Sequence, residues 1–318
     1  MNNAHPTFSI GEIPIFGKCI LAPMDGYSDT AFRQICRRFG SALSYSEFIN
    51  AIDVVQHNPY LEKRTQFIDY ERPMGFQIFD NDPERLKIAA LILREKNPDF
   101  FDINLGCSIK RVVNRGAGAA LLREPEKIGK MFNLLSKSLD IPITGKIRLG
   151  WEKDQKNYLE IAKIIEDNGG KMLAVHGRTK DQAFKGEADW EAIAQIKSSL
   201  SIPVLGNGDI KNIEDINQRI NFSNCDAVLI GRAAIGNPWI FSKIEKSTIP
   251  NEFFEKEVIN HLQMMINLFG ERRAVIRFRK HLSKYLHHRG INKQIISLLL
   301  KIPDSITLIA SIHNCLTN

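Results

Sequence analysis

Phe101-Asp102-Ile103-Asn104-Leu105-Gly106-Cys107-Ser108 reads as a buried strand, an apolar run that stops at a glycine with a single cysteine just beyond it. In parallel α/β proteins the segment after each strand is where the chemistry sits. The same unit recurs along the first three quarters of the chain: an apolar run, a polar or glycine-bearing turn, then a helical pattern. The runs fall at 19–22, 43–46, 74–79, 101–104, 143–147, 172–175, 204–206 and 227–230. That number is what a closed (β/α)8 barrel requires, inside the roughly 250 residues usual for it. A doubly wound open sheet uses the same alternation but does not account for polar residues after nearly every run. The expected fold is therefore α/β, a (β/α)8 TIM barrel.

Helix signals lie between the runs. Asp82-Pro83-Glu84 places a capping aspartate before a proline at the first helical position, and Glu124-Pro125-Glu126 repeats the device. Asp167-Asn168-Gly169-Gly170 ends a helix begun near Tyr158, with glycine where a left-handed cap is wanted. Beyond Ser247-Thr248-Ile249-Pro250-Asn251 no strand pattern remains. Helical patterns near 255–269, 272–288, 293–300 and 305–316 then form a small C-terminal helical bundle. The expected division is a barrel catalytic domain over 1–245 and a helical domain over 246–318.

The net charge of +7 is local. Residues 251–318 hold ten Lys/Arg against five Asp/Glu, which accounts for +5 of it. Between Arg272 and Lys293 there are eight Lys/Arg and no acid. Arg273, Arg277, Lys280 and Lys284 recur at helical spacing, while Val275, Phe278, Leu282 and Leu286 face away. Such a stripe is a solvated face or a phosphate-binding face; the lack of balancing acids favours RNA. Tyr285 is expected in the core, with stacking on a base as the alternative. The five cysteines are scattered and form no C-x-x-C pair, so neither a disulfide framework nor a zinc site is expected. The N-terminus has no leader pattern, and no stretch approaches a membrane span. A cytoplasmic protein, expected to be a monomer, is the simplest reading.

In a barrel the strand C-termini share one face. That face should gather Pro23-Met24, Glu47, Gln77, Asn104 with Cys107, Lys146 with Arg148, His176 with Arg178, Asn207-Gly208-Asp209 and Gly231-Arg232. No cluster at metal-ligand spacing occurs, which argues against a metal hydrolase. The glycine-bearing seventh and eighth ends are ordinary βα turns or a phosphate cradle. Lys146 puts a cation, and Gln77 a paired donor and acceptor, where an electron-accepting ring could lie. Together with a cradle they make a flavin mononucleotide (FMN) site reasonable. A cysteine at a strand end is otherwise usually a small core residue.

Seven motifs in order resemble those of the tRNA-dihydrouridine synthases. They are Leu21-Ala22-Pro23-Met24-Asp25-Gly26-Tyr27-Ser28-Asp29, Gln77 after Gly75-Phe76, Asp102-Ile103-Asn104-Leu105-Gly106-Cys107, Lys146-Ile147-Arg148, Val175-His176-Gly177-Arg178-Thr179, Gly206-Asn207-Gly208-Asp209-Ile210 and Ile230-Gly231-Arg232-Ala233. The tail run Arg279-Lys280-His281-Leu282-Ser283-Lys284-Tyr285-Leu286 is similar to the bacterial B-type branch. The resemblance implies FMN at the barrel mouth, NADPH as reductant, and a D-loop uridine of tRNA reduced at C5=C6. It implies that Gln77 and Lys146 contact the flavin ring, that Pro23 and Met24 pack beneath it, and that His176 lies near it. Asn207, Gly208, Asp209, Gly231 and Arg232 would hold the phosphate end, and Asn104 and Arg178 would touch the target base. Arg273, Arg277, Lys280 and Lys284 would hold the RNA, and Cys107 would be the general acid. A thiol with ordinary pKa about 8.5 is protonated at neutral pH and can supply that proton.

One departure stands out, since most family members carry proline where this chain has Ser108. Serine restores an N–H and loosens φ, so a more mobile loop is expected. The run 110–118, basic and glycine-bearing, is expected to be a lid over a nucleotide or a solvated loop. Two other functions fit parts of the pattern. A barrel flavin dehydrogenase of a small metabolite such as dihydroorotate would share the cradle and the lysine but need no basic tail. The same uridine reduction could also act on ribosomal RNA.

Overall fold

The structure is a computed structural model, and it describes residues 5–317. The chain begins with a hairpin, β1 (Phe8–Ile10) and β2 (Ile13–Ile15), turned at Gly11 with φ +59°. It continues through β3 (Cys19–Leu21), β4 (Ser44–Tyr45), β5 (Ile49–Asn50), β6 (Met74–Phe79), β7 (Phe100–Leu105), β8 (Ile143–Arg148), β9 (Gly170–His176), β10 (Val204–Asn207) and β11 (Ala227–Ile230). From β3 onward every pairing between these strands is parallel, in the order β3-β11-β10-β9-β8-β7-β6-β4, with the short β5 also beside β6. The two ends of this sheet meet. Ala42 N–H donates to Cys19 O at 2.9 Å, and Leu21 N–H donates to Ser41 Oγ at 2.9 Å. The result is a nearly closed eight-stranded barrel, and the open-sheet alternative falls away.

Helices α1 (Thr30–Arg38), α2 (Ala51–Val55), α3 (Leu61–Thr65), α4 (Pro83–Arg94), α5 (Lys110–Val113), α6 (Pro125–Ser138), α7 (Tyr158–Asp167), α8 (Trp190–Ser199) and α9 (Ile213–Ser223) lie in the connections between strands. The period of two along each strand decides what faces them. On β7, Phe101, Ile103 and Leu105 join the cluster shared with the helices, whereas Phe100 joins the barrel interior. Asp102 and Asn104, in step with Phe100, therefore point inward. The hairpin β1–β2 is absent from the sequence reading because Ser9 and Pro14 interrupt its runs and no helical pattern follows either of them. Its Phe8, Ile10 and Ile15 pack with Phe100, Met172 and Ala227 at the strand starts, plugging the end opposite the strand C-termini.

Caps follow side-chain length. Asp82 accepts from Arg85 N–H at 2.8 Å and Pro83 opens α4, as its residue types predict. Glu124 precedes Pro125 at the start of α6 but makes no side-chain cap; its longer carboxylate pairs with Lys127 instead. The helix α7 ends at Asp167, and Gly169 follows with φ +96°.

After a turn at Lys246–Thr248, the chain is helical: α10 (Asn251–Phe269), α11 (Glu271–His288), α12 (Lys293–Leu299) and α13 (Ser305–Thr317). Val275, Phe278, Leu282 and Leu286 are fully buried, each worth about 1.5–3 kcal/mol of removed apolar surface. They belong to one apolar core that continues into the barrel's helices and includes Phe32 and Trp239. Tyr285 is buried there too, its ring 5.9 Å from that of Phe254, so it is a core residue and not a stacking platform. Close backbone approach seats α11 on the barrel. A Cβ on Gly236 would stand 2.5 Å from Tyr285 N, so the loop after β11 tolerates only glycine here.

Candidate active site

The strand C-termini surround a cavity of about 550 Å³. Pro23, Met24, Gln77, Asn104, Cys107, Lys146, His176, Asn207, Gly208, Asp209, Gly231 and Arg232 all line it, and Lys284 reaches it from α11. A hydrogen-bonded chain runs from the barrel centre to the cysteine loop. Thr144 Oγ1 donates to Asp102 Oδ1 at 2.6 Å, and Gln77 Nε2 donates to Asp102 Oδ2 at 2.8 Å. Asn104 Nδ2 donates to Gln77 Oε1 at 2.8 Å, while Asn104 Oδ1 accepts from Gly106 N–H at 3.2 Å and Cys107 N–H at 2.9 Å. Each amide is thus oriented by its neighbour. Gln77 keeps one N–H and one lone pair, and Asn104 keeps one N–H, for a ligand.

Asp102 is fully buried, and burial raises its pKa to about 6 against the opposing bonds from Thr144 and Gln77 and the charge of Lys146. Lys146 Nζ donates to Asn207 Oδ1 at 3.3 Å. Burial, with the Arg148 charge, lowers its pKa to about 8, so it remains largely cationic at neutral pH. Arg148 donates from Nε to Gly106 O at 2.8 Å and ties the cysteine loop to the end of β8. Burial and the surrounding cations push the pKa of His176 well below the ordinary 6.5, so its ring is neutral. Arg178 Nη1, which can only donate, lies 3.4 Å from His176 Nε2 and assigns that nitrogen as the acceptor. Burial raises the pKa of the Cys107 thiol, so it keeps its proton at neutral pH.

Arg178 does not line the cavity and is 1% exposed. Its Nη2 donates to Asp209 Oδ2 at 2.6 Å and Gly186 O at 2.6 Å, and its Nε to Lys185 O at 3.1 Å. A guanidinium so engaged buttresses His176 and Asp209. The Asp209 carboxylate also accepts from Ala188 N–H at 2.7 Å, which leaves it oriented by protein donors. Arg232 is the freer cation, its side chain 63% exposed and its guanidinium 5.1 Å from the Phe184 ring centroid. Gly208 has φ +131°, and a Cβ there would come 2.5 Å from Ala188 Cβ. A Cβ on Gly231 would meet Met24 Sδ at 3.4 Å.

The α11 cations do not form one outward stripe. Arg273 is exposed, Arg277 donates from Nη2 to Tyr60 Oη, and Lys280 is partly buried with Nζ 4.5 Å from the Tyr27 ring centroid. The helix lies against the barrel mouth, so Lys280 feels the negative charge of Asp25 and Asp29 in the loop after β3 and of Glu47 after β4. The run 110–118 is also anchored. Lys110–Val113 is the helix α5, with Val112 buried against Phe79 and Ala117. Ser108 lines the cavity, and Cys107 O accepts from Ala119 N–H at 3.0 Å. Asp102 and Phe184 were missed. Period two from Asn104 marks Asp102 as inward, whereas Phe184 sits in an irregular loop without periodicity.

The family model described as Dihydrouridine synthase (Dus) matches residues 20–298. The chain belongs to the dihydrouridine synthase family. It is 38% identical over 288 residues to tRNA-dihydrouridine synthase B of Pasteurella multocida, covering 87% of this chain and 86% of that protein. It is likewise 38% identical over 286 residues to tRNA-dihydrouridine synthase B of Pseudomonas aeruginosa, with the same coverage of 87% and 86%. Among solved structures, histamine dehydrogenase from Rhizobium sp. 4-9 shares the fold, with TM-score 0.57 and 14% identity over 80% of this chain and 50% of that one. Membership of the dihydrouridine synthases removes the small-metabolite dehydrogenase reading. Among the described residues no helix is long and apolar enough to cross a membrane.

Proposed function

We propose that this protein reduces the C5=C6 bond of D-loop uridines in tRNA to 5,6-dihydrouridine, with FMN at the barrel mouth and NADPH as reductant. The observation that carries the reading is one cavity in which Lys146, Gln77 and the two glycine turns converge beside a protonated cysteine, in a chain of this family. The residues fit FMN. Gln77 offers one donor and one acceptor to an imide edge, Lys146 offers a cation, and Pro23 and Met24 offer an apolar floor. His176 borders the ring site. Asn207, Gly208, Asp209, Gly231 and Arg232 bound the phosphate end, where a Cβ added at Gly208 would crowd the turn. Bound there, FMN would supply hydride chemistry for the C5=C6 bond.

The chain's own residues do the rest. Cys107 gives its Sγ proton to C5, and the bonds from Asn104 to Gly106 N–H and Cys107 N–H set where that sulfur stands. The free N–H of Asn104 donates to a uracil carbonyl. Arg178 acts by positioning, holding His176 and Asp209 in place and making no base contact. Residues 246–318 act as the tRNA-binding domain through Arg273, Arg277 and Lys284, with Lys280 holding α11 to the mouth. The protein works as a monomer in the cytoplasm.

The test supplies the purified protein with FMN, NADPH and tRNA lacking dihydrouridine, and reads dihydrouridine by nucleoside mass spectrometry. Cys107→Ala should keep flavin and tRNA binding but lose roughly 10²–10⁴ in rate, the usual worth of a general acid. Full activity in that variant contradicts the acid role, and protein that never takes up flavin overturns the reading.

A further inference from the structure

Next to the main cavity lies a second one of about 300 Å³, between the segment from Phe48 to Arg64 and the helix α5. Nothing in the reduction chemistry uses it. Phe48 lines both cavities, so they share a wall. The second cavity is cationic, with Arg64, Arg111 and Arg115 facing one acid, Asp53. Asp53 is engaged by Asn50 Nδ2 at 3.2 Å and Asn58 Nδ2 at 3.5 Å. Arg64 is neutralised by Asp25 at 2.8 Å. The other two arginines are not. Arg115 donates from Nη1 to Asn50 Oδ1 at 3.3 Å, but its Nη2 is buried without a hydrogen-bond partner among the described residues. A buried guanidinium nitrogen left unpaired costs free energy unless a ligand completes it. Arg111 is exposed and makes no ion pair among the described residues.

The wall of the cavity is aromatic as well as cationic. Tyr60 is 49% exposed, and the Arg64 guanidinium lies 5.6 Å from its ring centroid. Its hydroxyl accepts from Arg277 of α11, which joins the cavity to the basic helix. An unpaired cationic fork, an exposed aromatic face and a volume at the small end of ligand sites together match one nucleotide, with a phosphate on the arginines and a base on the ring. A polymer that places one base in the main cavity reaches the second by passing its neighbour across Phe48.

We propose that this second cavity is a subsite for the nucleotide adjacent to the target uridine, its phosphate on Arg111 and Arg115 and its base against Tyr60. The inference rests on the reading of the main cavity as an RNA-modifying site. It makes part of the RNA's register a property of α5 and the loop before α3, and not of α11 alone.

The FMN-loaded enzyme and its Arg111→Ala, Arg115→Gln and Tyr60→Ala variants test this in three measurements: KM for tRNA, tRNA affinity against salt, and the rate of flavin reduction by NADPH without RNA. Each variant should raise KM and Kd for tRNA about tenfold, the worth of one charge-assisted or stacking interaction. The arginine variants should lower the slope of log K against log salt by roughly 0.7–0.9 for each phosphate that is no longer neutralised. Flavin reduction should be unchanged. Arg111 and Tyr60 are exposed, so their variants are readable even if Arg115→Gln folds poorly. Unaltered tRNA KM and Kd in Arg111→Ala and Tyr60→Ala overturn the subsite. A raised KM for NADPH with tRNA affinity unchanged also overturns it, by assigning the arginines to the reductant's phosphates. A wild-type enzyme that forms no dihydrouridine on any tRNA overturns the underlying reading and this one with it.

Discussion

Acid should loosen the seam between the barrel and the α10–α11 helices, and His261 sets the size of the effect. Its ring is fully buried, 5.5 Å from Phe32 in a stacked pair and 4.6 Å from His281, and its Nδ1 is 3.2 Å from Tyr285 Oη. Burial, with the Lys280 charge, lowers its pKa from 6.5 to about 3. His281 is depressed in the same direction by burial and by the charges of His261 and Lys280. A depressed histidine favours the folded state fully above its unfolded pKa, and that stability is lost as pH falls from 6.5 towards 3, because the opened state takes the proton first. For His261 alone, linkage gives a loss of roughly 2 kcal/mol by pH 5 and about 3 kcal/mol by pH 4. Two buried aspartates work against it. Asp29 and Asp102 have pKa values raised to about 6, so their contributions grow as pH falls. A global unfolding curve mixes these signs. Local opening of α10 and α11, read by hydrogen exchange corrected for intrinsic rates, isolates the seam. Comparison with His261→Gln cancels the aspartates. The wild type should lose about 2 kcal/mol more protection than the variant between pH 7 and pH 5. Parallel losses in the two proteins would refute the assignment.

Three further outcomes follow from the same geometry. Gly208→Ala forces a Cβ to 2.5 Å from Ala188 Cβ at φ +131°; strain of about 1–3 kcal/mol should lower Tm and the flavin retained on purification, and unchanged values count against the cradle. Asp102→Asn removes a carboxylate whose pKa is raised, and whose stability contribution is present below 3.8 and lost as pH rises through about 6. The variant should gain roughly 2 kcal/mol on the wild type from pH 4 to pH 8, and parallel pH profiles of thermal unfolding would rule this out. Arg272→Glu with Arg273→Glu, both exposed on α11, should weaken tRNA binding about tenfold and flatten its salt dependence without slowing flavin reduction by NADPH; unchanged binding would remove the start of α11 from the RNA path.

The eight strand positions were legible because each barrel strand is a short apolar run followed by a polar turn, a pattern that survives without an alignment. The residues at the cavity were legible for the same reason, since strand polarity alone sends Gln77, Asn104, Lys146, His176 and Asn207 to one face. Arg178 was misread because position at a strand end cannot tell a side chain that points into the mouth from one folded back on Asp209. Lys280 was misread because helical spacing reports a shared face but not what that face meets. The β1–β2 hairpin escaped because its runs are interrupted by Ser9 and Pro14 and no helical pattern follows either of them.

By itself the amino-acid order determined a (β/α)8 barrel with a basic helical tail, the placing of Cys107 beyond the fourth barrel strand, and the family resemblance. These depend on local periodicity and on residue types at fixed offsets, which chain order records directly. Tertiary structure alone decided that Asp102, Gln77 and Asn104 form one hydrogen-bonded chain ending at Cys107 N–H. It alone decided that α11 lies across the mouth with Lys284 in the cavity, and that Arg64, Arg111 and Arg115 line a second cavity sharing Phe48 with the first. Those facts depend on distances between residues far apart in sequence, and only closure of the barrel and burial of the α11 apolar face set those distances.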